Sequence, residues 1–263
     1  MTEVNKTLYI PLYGKAYVSR KGLFLKDKKA EEIWAKEEFP LKGKSKSKWL
    51  AYYMGIRSAV FDEWAKAKIA DFQNITVIHI GCGMDSRAER IGSNNSNWYD
   101  VDFDGVINER RRYYAENDRY KMLAGDARES AWLEKIPSSE KAVIIMEGIS
   151  MYLRTEEIQS LIKSLTARFK EISLLMDCYT VKAAELSRHK NPINDVGVTE
   201  VYGIDTPEIF GNNGLKFIKE HNMIPQNYID ELHGVEKYIF SKIFTGGFSK
   251  KMYRLFEYGN VYF

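Results

Sequence analysis

Residues 75–102 read ITVIHIGCGMDSRAERIGSNNSNWYDVD, and this stretch decides the fold that we predict. It begins with a run of β-branched residues, Ile75 to Ile80, which is typical of a buried parallel strand. The loop GCGMDSR follows, then a helical stretch near residues 87–91, and a second strand that ends at Asp102. A strand, a glycine loop, a helix and another strand make one βαβ unit, which predicts a parallel sheet.

The same alternation continues downstream of this unit. The pattern predicts a helix near 106–117, a third strand in YKMLAGD that ends at Asp126, a fourth in AVIIMEG that ends at Glu147, a helix over 155–169 and a fifth strand in ISLLMDCY. Alternating strands and helices predict an α/β fold, with a mostly parallel sheet covered by helices on both faces. Ligands of such sheets bind in a crevice at the carboxyl ends of the strands.

The flanking regions are less regular. Helices are predicted over 29–38 and 49–70, and the terminal MYRLFEYGNVYF alternates like a strand that could lie antiparallel at the sheet edge. Pro192, Pro207 and several glycines interrupt residues 180–214, which indicates an insertion that is either mobile or shaped by a ligand. We therefore predict one domain, divided into a helical cap (1–70), a cofactor-binding core (71–179), a substrate-side insertion (180–245) and a closing strand (246–263).

Composition excludes several other classes of protein. The net charge is only +3, and the short lysine run at 42, 44, 46 and 48 is predicted to be a solvated loop, so we expect no nucleic-acid partner. Cys82 and Cys178 are far apart without a CxxC motif, so no metal site or disulfide framework is expected, and a reducing cytoplasm fits. Neither a signal peptide nor a run of eighteen apolar residues occurs, so no membrane contact is expected.

The glycine loop and the acid after it predict a nucleotide-like ligand. Gly81 and Gly83 permit a tight turn and a close approach of the backbone to the ligand. Asp102, about twenty residues further on, is placed to accept both hydroxyl protons of a ribose. A dinucleotide dehydrogenase would share these features, but Ser86 stands where its motif has a third glycine.

Two further strand ends extend the pattern. Asp126 could accept a hydrogen bond from an adenine amino group, and the backbone at Ala127 could contact the ring. Glu147 lies between apolar residues, where an unpaired carboxylate would be costly, so a partner is expected, either in the protein or in a ligand that carries an ammonium group. The whole set suits S-adenosylmethionine, whereas His79 within the first strand is predicted to be a core histidine.

The chain resembles leucine carboxyl methyltransferases and their bacterial relatives, the tetracenomycin-type polyketide O-methyltransferases. The motifs that carry the resemblance are TLYIPLYGKA, LFLKDKKA, GIRSAVFDEW, GCGMDSR, YDVD, GDAR followed by AWL, EGISMYL and KKMYRLFEY. It implies a class I methyltransferase sheet of seven strands with an N-terminal helical cap. It also implies that Lys15 and Arg57 hold the carboxylate of the cofactor, and that Gly81, Asp102, Asp126, Ala127 and Glu147 have the roles given above.

Two positions depart from the family pattern. Lys15 stands where relatives often have arginine, which should weaken bidentate recognition of a carboxylate while keeping the charge. Lys28 replaces the proline of an Asp-Pro pair after Asp27.

The function that we expect is O-methylation of a small carboxylic acid without a covalent intermediate, with Tyr152 and residues of 180–245 shaping the substrate pocket. Methylation of a phenol is the main alternative, and it would need a base such as His189 or His221. A protein that binds the cofactor without catalysis and a dehydrogenase are further alternatives. Methylation of a protein carboxyl terminus is less favoured, because nothing here indicates a phosphatase partner.

Overall fold

The computed structural model describes residues 8–37, 39, 41, 43–70, 72, 74–92, 96–187, 200–246 and 252–260. The strands are β1 (Ile75–Ile80), β2 (Ser96–Asp102), β3 (Tyr120–Ala124), β4 (Lys141–Met146), β5 (Glu171–Tyr179), β6 (Lys216–His221) and β7 (Tyr253–Gly259). The α-helices are α1 (Tyr9–Lys21), α2 (Lys28–Lys36), α3 (Lys48–Ala70), α4 (Arg87–Ile91), α5 (Asp104–Arg110), α6 (Thr155–Arg168), α7 (Val181–Ser187), α8 (Gln226–Asp230) and α9 (Gly234–Phe244). Short 3-10 helices cover Gly43–Lys46, Ala131–Lys135, Ser150–Tyr152 and Pro207–Asn213.

The seven strands form one sheet in the order β3-β2-β1-β4-β5-β7-β6. The first five strands along the chain are parallel, and β7 runs antiparallel to both of its neighbours. The predicted α/β class and parallel sheet are therefore confirmed. The order changes direction beside β1, so the ends of β1 and β4 open onto the crevice where such sheets bind ligands.

The closing strand is antiparallel as predicted, but its expected position at the sheet edge is wrong. β7 lies between β5 and β6, and β6 is the outer strand. Residues 216–221 read KFIKEH and leave most of their side chains exposed, as edge strands commonly do, so they lack the hydrophobic alternation that marks an inner strand.

Alternate residues along the strands pack into two hydrophobic clusters, one on each face of the sheet. Val77 and Ile145 join the cluster that includes the cap helices, whereas Ile78 and Ile144 join the cluster under α6. This alternation follows from the two-residue period of a strand. Because both faces are covered, the central strands are mostly apolar, and the buried His79 and Asp177 on them contact polar groups of the protein.

The helical cap contains one helix that the sequence did not reveal. α1 carries Pro11 and Gly14, which lower helix propensity, although a proline is tolerated in a first turn. A Cβ atom on Gly14 would lie 2.7 Å from Cβ of Met54, so this glycine allows α1 and α3 to pack closely. The two predicted cap helices are confirmed within two residues at each end, as α2 and α3.

Two further predictions, for a helix near 106–117 and for the lysine run, can be compared with the structure. The helix expected near 106–117 begins at Asp104 and ends at Arg110, after which the Asn117 side chain accepts hydrogen bonds from the backbone N–H groups of Arg119 and Tyr120. Lys44 and Lys46 are exposed, as predicted, although they lie in a 3-10 helix rather than a loop. Lys48 departs from the prediction, because it is half-buried at the start of α3 and binds Glu236 at 2.8 Å, and Lys42 lies outside the described residues.

The departure at Lys28 now has a structural setting. Asp27 caps α2 by accepting a hydrogen bond from the Ala30 N–H (2.8 Å), which makes Lys28 the first residue of the helix. Proline is favoured at that position because its N–H is not needed there. Lys28 instead forms an ion pair with Glu31 at 3.0 Å.

No helix in the described ranges is both long enough and apolar enough to span a bilayer.

Candidate active site

A cavity of about 360 Å³ lies between the cap helices and the carboxyl ends of β1, β2 and β4. Seven of the residues singled out in the sequence line it: Lys15, Arg57, Gly81, Gly83, Asp102, Glu147 and Tyr152. They come from the cap and from three different strand ends, so only the tertiary fold brings them together.

The glycine loop forms the floor of this cavity. Gly81 has a φ of +70°, a conformation that favours glycine, and a Cβ atom there would lie 2.6 Å from Cδ1 of Ile149. Its N–H donates to the carbonyl of Val101 (2.8 Å), which ties the loop to β2. Gly83, with a φ of +51°, donates its N–H to Oδ2 of Asp102 at 2.8 Å.

Asp102 faces the cavity from the end of β2. Its Oδ2 accepts from Gly83, and its Oδ1 accepts from the N–H of Phe103 at 2.8 Å. Burial raises the pKa of Asp102, while these two hydrogen bonds oppose that shift. A carboxylate accepts about four hydrogen bonds, so capacity remains for two hydroxyl donors.

Asp126 and Ala127 do not line the cavity. β3 ends at Ala124 rather than at Asp126, and the carboxylate of Asp126 binds the Arg128 guanidinium, whose Nε lies 2.9 Å from Oδ1. This hydrogen bond lowers the pKa of Asp126. Ala127 is buried in the hydrophobic cluster under α6. The structure therefore does not bring these two residues to the other residues that are predicted to bind the cofactor. Their contact with an adenine stays a prediction.

Glu147 is partnered within the protein by two arginines. Nε of Arg57 lies 3.0 Å from Oε1, and Nη2 of Arg87 donates to Oε2. Burial by itself would raise the pKa of Glu147, but the charges of Arg87 and Arg57 lower it to about 2. Arg87, on α4, was not singled out in the sequence, although it is the last residue of the GCGMDSR motif.

Arg57 has further partners at the far end of its guanidinium. Nη1 donates to the Tyr253 hydroxyl (3.1 Å) and lies 3.3 Å from Oδ2 of Asp177. The Tyr253 hydroxyl in turn donates to Oδ2 of Asp177 at 2.6 Å, and the Gly148 N–H donates to Oδ1 at 2.7 Å. Sequence reasoning missed both Asp177 and Tyr253, because their contact with Arg57 crosses the whole fold.

Lys15 forms a buried ion pair with Asp85. Its Nζ lies 2.9 Å from Oδ2, and Arg90 approaches Oδ1 at the same distance. Burial would raise the pKa of Asp85, but the charges of Arg90 and Lys15 hold it well below its usual range. Ser86, at the position where a dehydrogenase has glycine, donates its hydroxyl to Asp27 at 2.6 Å and so links the loop to the cap.

Histidines play different parts around the cavity. His79 lines it but is buried, with Nε2 3.3 Å from Nη1 of Arg87 and Nδ1 3.6 Å from Oδ1 of Asp100, in agreement with a core role. His221 lies on β6 and lines a neighbouring cavity instead. His189 lies outside the described residues. Within the described ranges, no group of three or more His, Cys, Asp or Glu side chains could hold a metal ion.

The rest of the cavity wall is apolar and aromatic. Tyr53, Tyr179, Phe244 and Tyr253 line this half, next to Tyr152. The cavity therefore has one end rich in paired charges and one end suited to an apolar ligand.

Comparison with known proteins supports the interpretation of the cavity. A model of the leucine carboxyl methyltransferase family matches residues 6–166. Tetracenomycin polyketide synthesis O-methyltransferase TcmP from Streptomyces glaucescens is 26% identical over 243 residues, which are 91% of this chain and 90% of that protein. The S-adenosyl-L-methionine-dependent methyltransferase dpfgK from Gibberella zeae is 32% identical over 104 residues, which are 36% of this chain and 35% of that protein.

Solved structures agree on the fold. Magnesium protoporphyrin IX methyltransferase (ChlM) from Synechocystis PCC 6803 with bound SAH has a TM-score of 0.53 at 12% identity, covering 98% of this chain and 100% of that chain. The same enzyme with bound SAM has a TM-score of 0.51 at 12% identity, covering 84% of this chain and 87% of that chain. These likenesses confirm the class I methyltransferase fold.

The family match spans more than half of the chain and includes Lys15, Arg57, the glycine loop, Asp102, Glu147 and Tyr152. The chain therefore belongs to the leucine carboxyl methyltransferase family and is a methyltransferase that uses S-adenosylmethionine.

Proposed function

We propose that this enzyme methylates a carboxylate oxygen of a small molecule. The supporting observation is that the side chains of the cavity that could act as a general base are already bound by other groups. Asp85 and Glu147 are each bound by two or more cations that lower their pKa values, and the only described histidine on the cavity lies beside Arg87. Among the described residues, Asp102 is the remaining acid on the cavity wall, and we assign it to the ribose of the cofactor. A carboxylate nucleophile suits such a site, because it is already ionised at neutral pH and needs no base.

The residues present fit the cofactor. Asp102 has free acceptor capacity for the ribose hydroxyls, and the loop at Gly81 and Gly83 leaves room for a close ligand. The charged end of the cavity carries both signs, as the amino-acid part of S-adenosylmethionine requires. We assign Lys15 and Arg57 to its carboxylate and Glu147 to its ammonium group. Neither Asp126 nor Ala127 lines the cavity, so their assignment to the adenine rests on the family resemblance alone.

When bound, S-adenosylmethionine supplies an electrophilic methyl group on a sulfonium. A carboxylate oxygen would accept this methyl group with no proton to remove, so the residues of the cavity would only have to hold and align the two reactants. Positioning of the two reactants can supply about 7 to 11 kcal/mol of the barrier. The tyrosines and Phe244 of the apolar end would exclude water, and Tyr152 would shape the pocket around the acceptor.

Similarity to TcmP extends the proposal to the substrate class. That relative is named for polyketide synthesis and for O-methylation, and it aligns with nearly the whole chain. The aromatic end of the cavity suits a planar, polyketide-like acid.

A turnover assay with labelled S-adenosylmethionine tests the proposal. Matched pairs of aromatic acids and phenols, such as 2-naphthoic acid and 2-naphthol, would be offered to the purified enzyme. We expect label in a methyl ester that alkali hydrolyses, at a rate that hardly changes between pH 6 and 9. A stable methyl ether from the phenol, formed faster as pH rises, would overturn the carboxylate proposal in favour of phenol methylation.

A further inference from the structure

The size of the cavity raises a question about where the substrate lies. Methyl transfer requires cofactor and acceptor to be bound together, yet the cavity measures about 360 Å³. Pockets for one drug-sized ligand span about 300 to 1,000 Å³, so this cavity is at the lower end even for a single molecule. An acceptor larger than one ring needs additional space.

A second cavity of about 470 Å³ adjoins the first. Tyr53, Phe244 and Tyr253 line both cavities and so form a common wall. The rings of Tyr53 and Phe244 stack with centroids 5.4 Å apart, and those of Tyr53 and Tyr253 are 6.1 Å apart. Tyr253 is fixed by its hydroxyl, which binds Arg57 and Asp177, whereas Tyr53 and Phe244 are partly exposed.

His221 is a polar residue that lines the second cavity but not the first. Nε2 of His221 lies 2.6 Å from Oε2 of Glu257, whose other oxygen binds Lys68 at 2.8 Å. This hydrogen bond orients the imidazole, and its Nδ1 forms no hydrogen bond with a described residue.

Several of the other polar side chains that line this cavity have partners. Arg254 binds Glu220, and Asn222 accepts from the N–H of Ile224. Gln226 donates to Asp230, and Thr245 donates to the Ser241 carbonyl. His221 is the one histidine among the described residues that line this cavity, and its Nδ1 can bind a ligand group.

We propose that the wall of Tyr53, Phe244 and Tyr253 is the junction between two substrate subsites, and that His221 binds the distal end of an elongated acid. The acid would be mostly apolar, would place its carboxylate in the first cavity, and would carry a hydroxyl or carbonyl group at its other end. This inference rests on the proposed carboxylate methylation for the orientation of the substrate. It makes His221 a specificity-determining residue, remote from the reacting atoms.

Three acids of increasing reach test this arrangement: benzoic acid, biphenyl-4-carboxylic acid and 4′-hydroxybiphenyl-4-carboxylic acid. Binding to the enzyme saturated with S-adenosylhomocysteine would be measured by calorimetry, and methyl ester formation by labelled turnover. We expect the biphenyl acid to bind at least tenfold more tightly than benzoic acid, and the hydroxyl group to add about fivefold to tenfold.

Two variants separate the two parts of the proposal. Thr245 lines only the second cavity, so Thr245→Trp should fill it and remove most of the biphenyl advantage. His221→Asn should remove the gain in affinity that the hydroxyl group gives. It should leave the ratio of the affinities for the biphenyl acid and benzoic acid unchanged. His233→Asn is the matched control, because His233 is exposed and lines neither cavity. Melting temperatures would establish that each variant folds.

Equal binding of all three acids, or a biphenyl advantage that persists in Thr245→Trp, would overturn the second subsite. Graded binding without ester formation would support the subsite and count against carboxylate methylation. The two proposals can therefore fail independently.

Discussion

Four basic side chains, Lys15, Arg57, Arg87 and Arg110, are buried at the carboxyl ends of the parallel strands, and each is paired with an acid. Removal of one partner from such a pair is costly, because the other charge remains buried without compensation. This pairing explains why the acids at the strand ends are not equivalent. Glu147 is held by two arginines, whereas Asp102 is held by backbone N–H groups and keeps capacity for a ligand.

Replacement of Asp102 by alanine should therefore lower affinity for the cofactor more than it lowers stability. We expect the Kd for S-adenosylhomocysteine to rise about tenfold to a hundredfold, since hydrogen bonds to a charged group contribute about 1.5 to 3 kcal/mol. Titration calorimetry measures this change directly. Asp104→Ala is the matched control, because Asp104 is exposed at the start of α5. An unchanged Kd in a folded Asp102→Ala variant would show that the ribose lies elsewhere.

At the level of elements, the glycine loop is constrained by its neighbour as well as by its dihedral angles. Gly22 and Gly81 have nearly the same φ, +69° and +70°, yet a Cβ atom on Gly22 would meet nothing within 4 Å, whereas one on Gly81 would meet Ile149. Substitutions at Gly22 and Gly81 therefore allow the cost of backbone strain to be measured separately from the cost of steric overlap.

Gly22→Ala should reduce the free energy of unfolding by about 1 to 2 kcal/mol, the cost of a left-handed conformation for an L-residue. Gly81→Ala should cost about 1 to 3 kcal/mol more, because the added methyl group collides with Ile149 in a packed site. Urea unfolding measures both values. The double variant Gly81→Ala with Ile149→Ala should recover part of the difference, and equal losses in the two single variants would contradict the steric explanation.

The elements also differ in how visible they are in the sequence. β1 to β5 are predicted because they are buried and follow loops with glycine or polar breaks. β6 and α1 are missed for opposite reasons: β6 is an exposed edge strand, and α1 contains proline and glycine that its packing against α3 requires. The local sequence pattern indicates which residues are buried. It does not predict elements such as β6 and α1, because their residues depend on exposure at the sheet edge or on contact with a neighbouring helix.

At the scale of the molecule, ion pairs connect the cap helix α3 to the sheet. Arg57 binds Glu147 after β4, and Lys68 binds Glu257 on β7. Burial alone would raise the pKa of Glu257, but hydrogen bonds with His221 and Lys68 lower it to about 2. Since the pKa of Glu147 is also about 2, both acids remain charged in the folded protein well below their ordinary value of 4.5.

Stability should accordingly fall as the pH drops from about 4.5 towards 2. The unfolded chain binds protons at these two acids over that window while the folded chain does not, so acid favours unfolding, and the contribution is fully present above pH 4.5. Urea midpoints between pH 7 and pH 2.5 measure the effect. Glu257→Gln should be less stable at pH 7 and show a shallower decline in acid.

The control for this measurement is Glu32→Gln. Glu32 forms only exposed ion pairs, with Lys29 and Lys36, and such pairs contribute little. Its pH dependence should match that of the wild type. A Glu257→Gln variant with the full acid decline of the wild type would show that this ion pair does not contribute to acid sensitivity.

The sequence by itself determined the α/β class, the order of β1 to β5, the family and the cofactor. Each of these depends on local patterns: apolar runs of strand length, a glycine loop directly after a strand, and acids near strand ends. These patterns identified Gly81, Gly83, Asp102 and Glu147, whereas Lys15 and Arg57 were implied by the family resemblance. All six line the cavity, and so does Tyr152.

Only the tertiary structure decided the place of β7 within the sheet, the partners of the buried charges and the second cavity. The contacts of Arg57 with Glu147 and Tyr253 span 90 and 196 residues of sequence, and no local period encodes such distances. The structure also kept Asp126 and Ala127 out of the cavity, because β3 ends earlier than the sequence suggested and Arg128 binds the carboxylate of Asp126. Periodicity fixes which residues are buried, whereas pairing between distant side chains depends on how the elements pack.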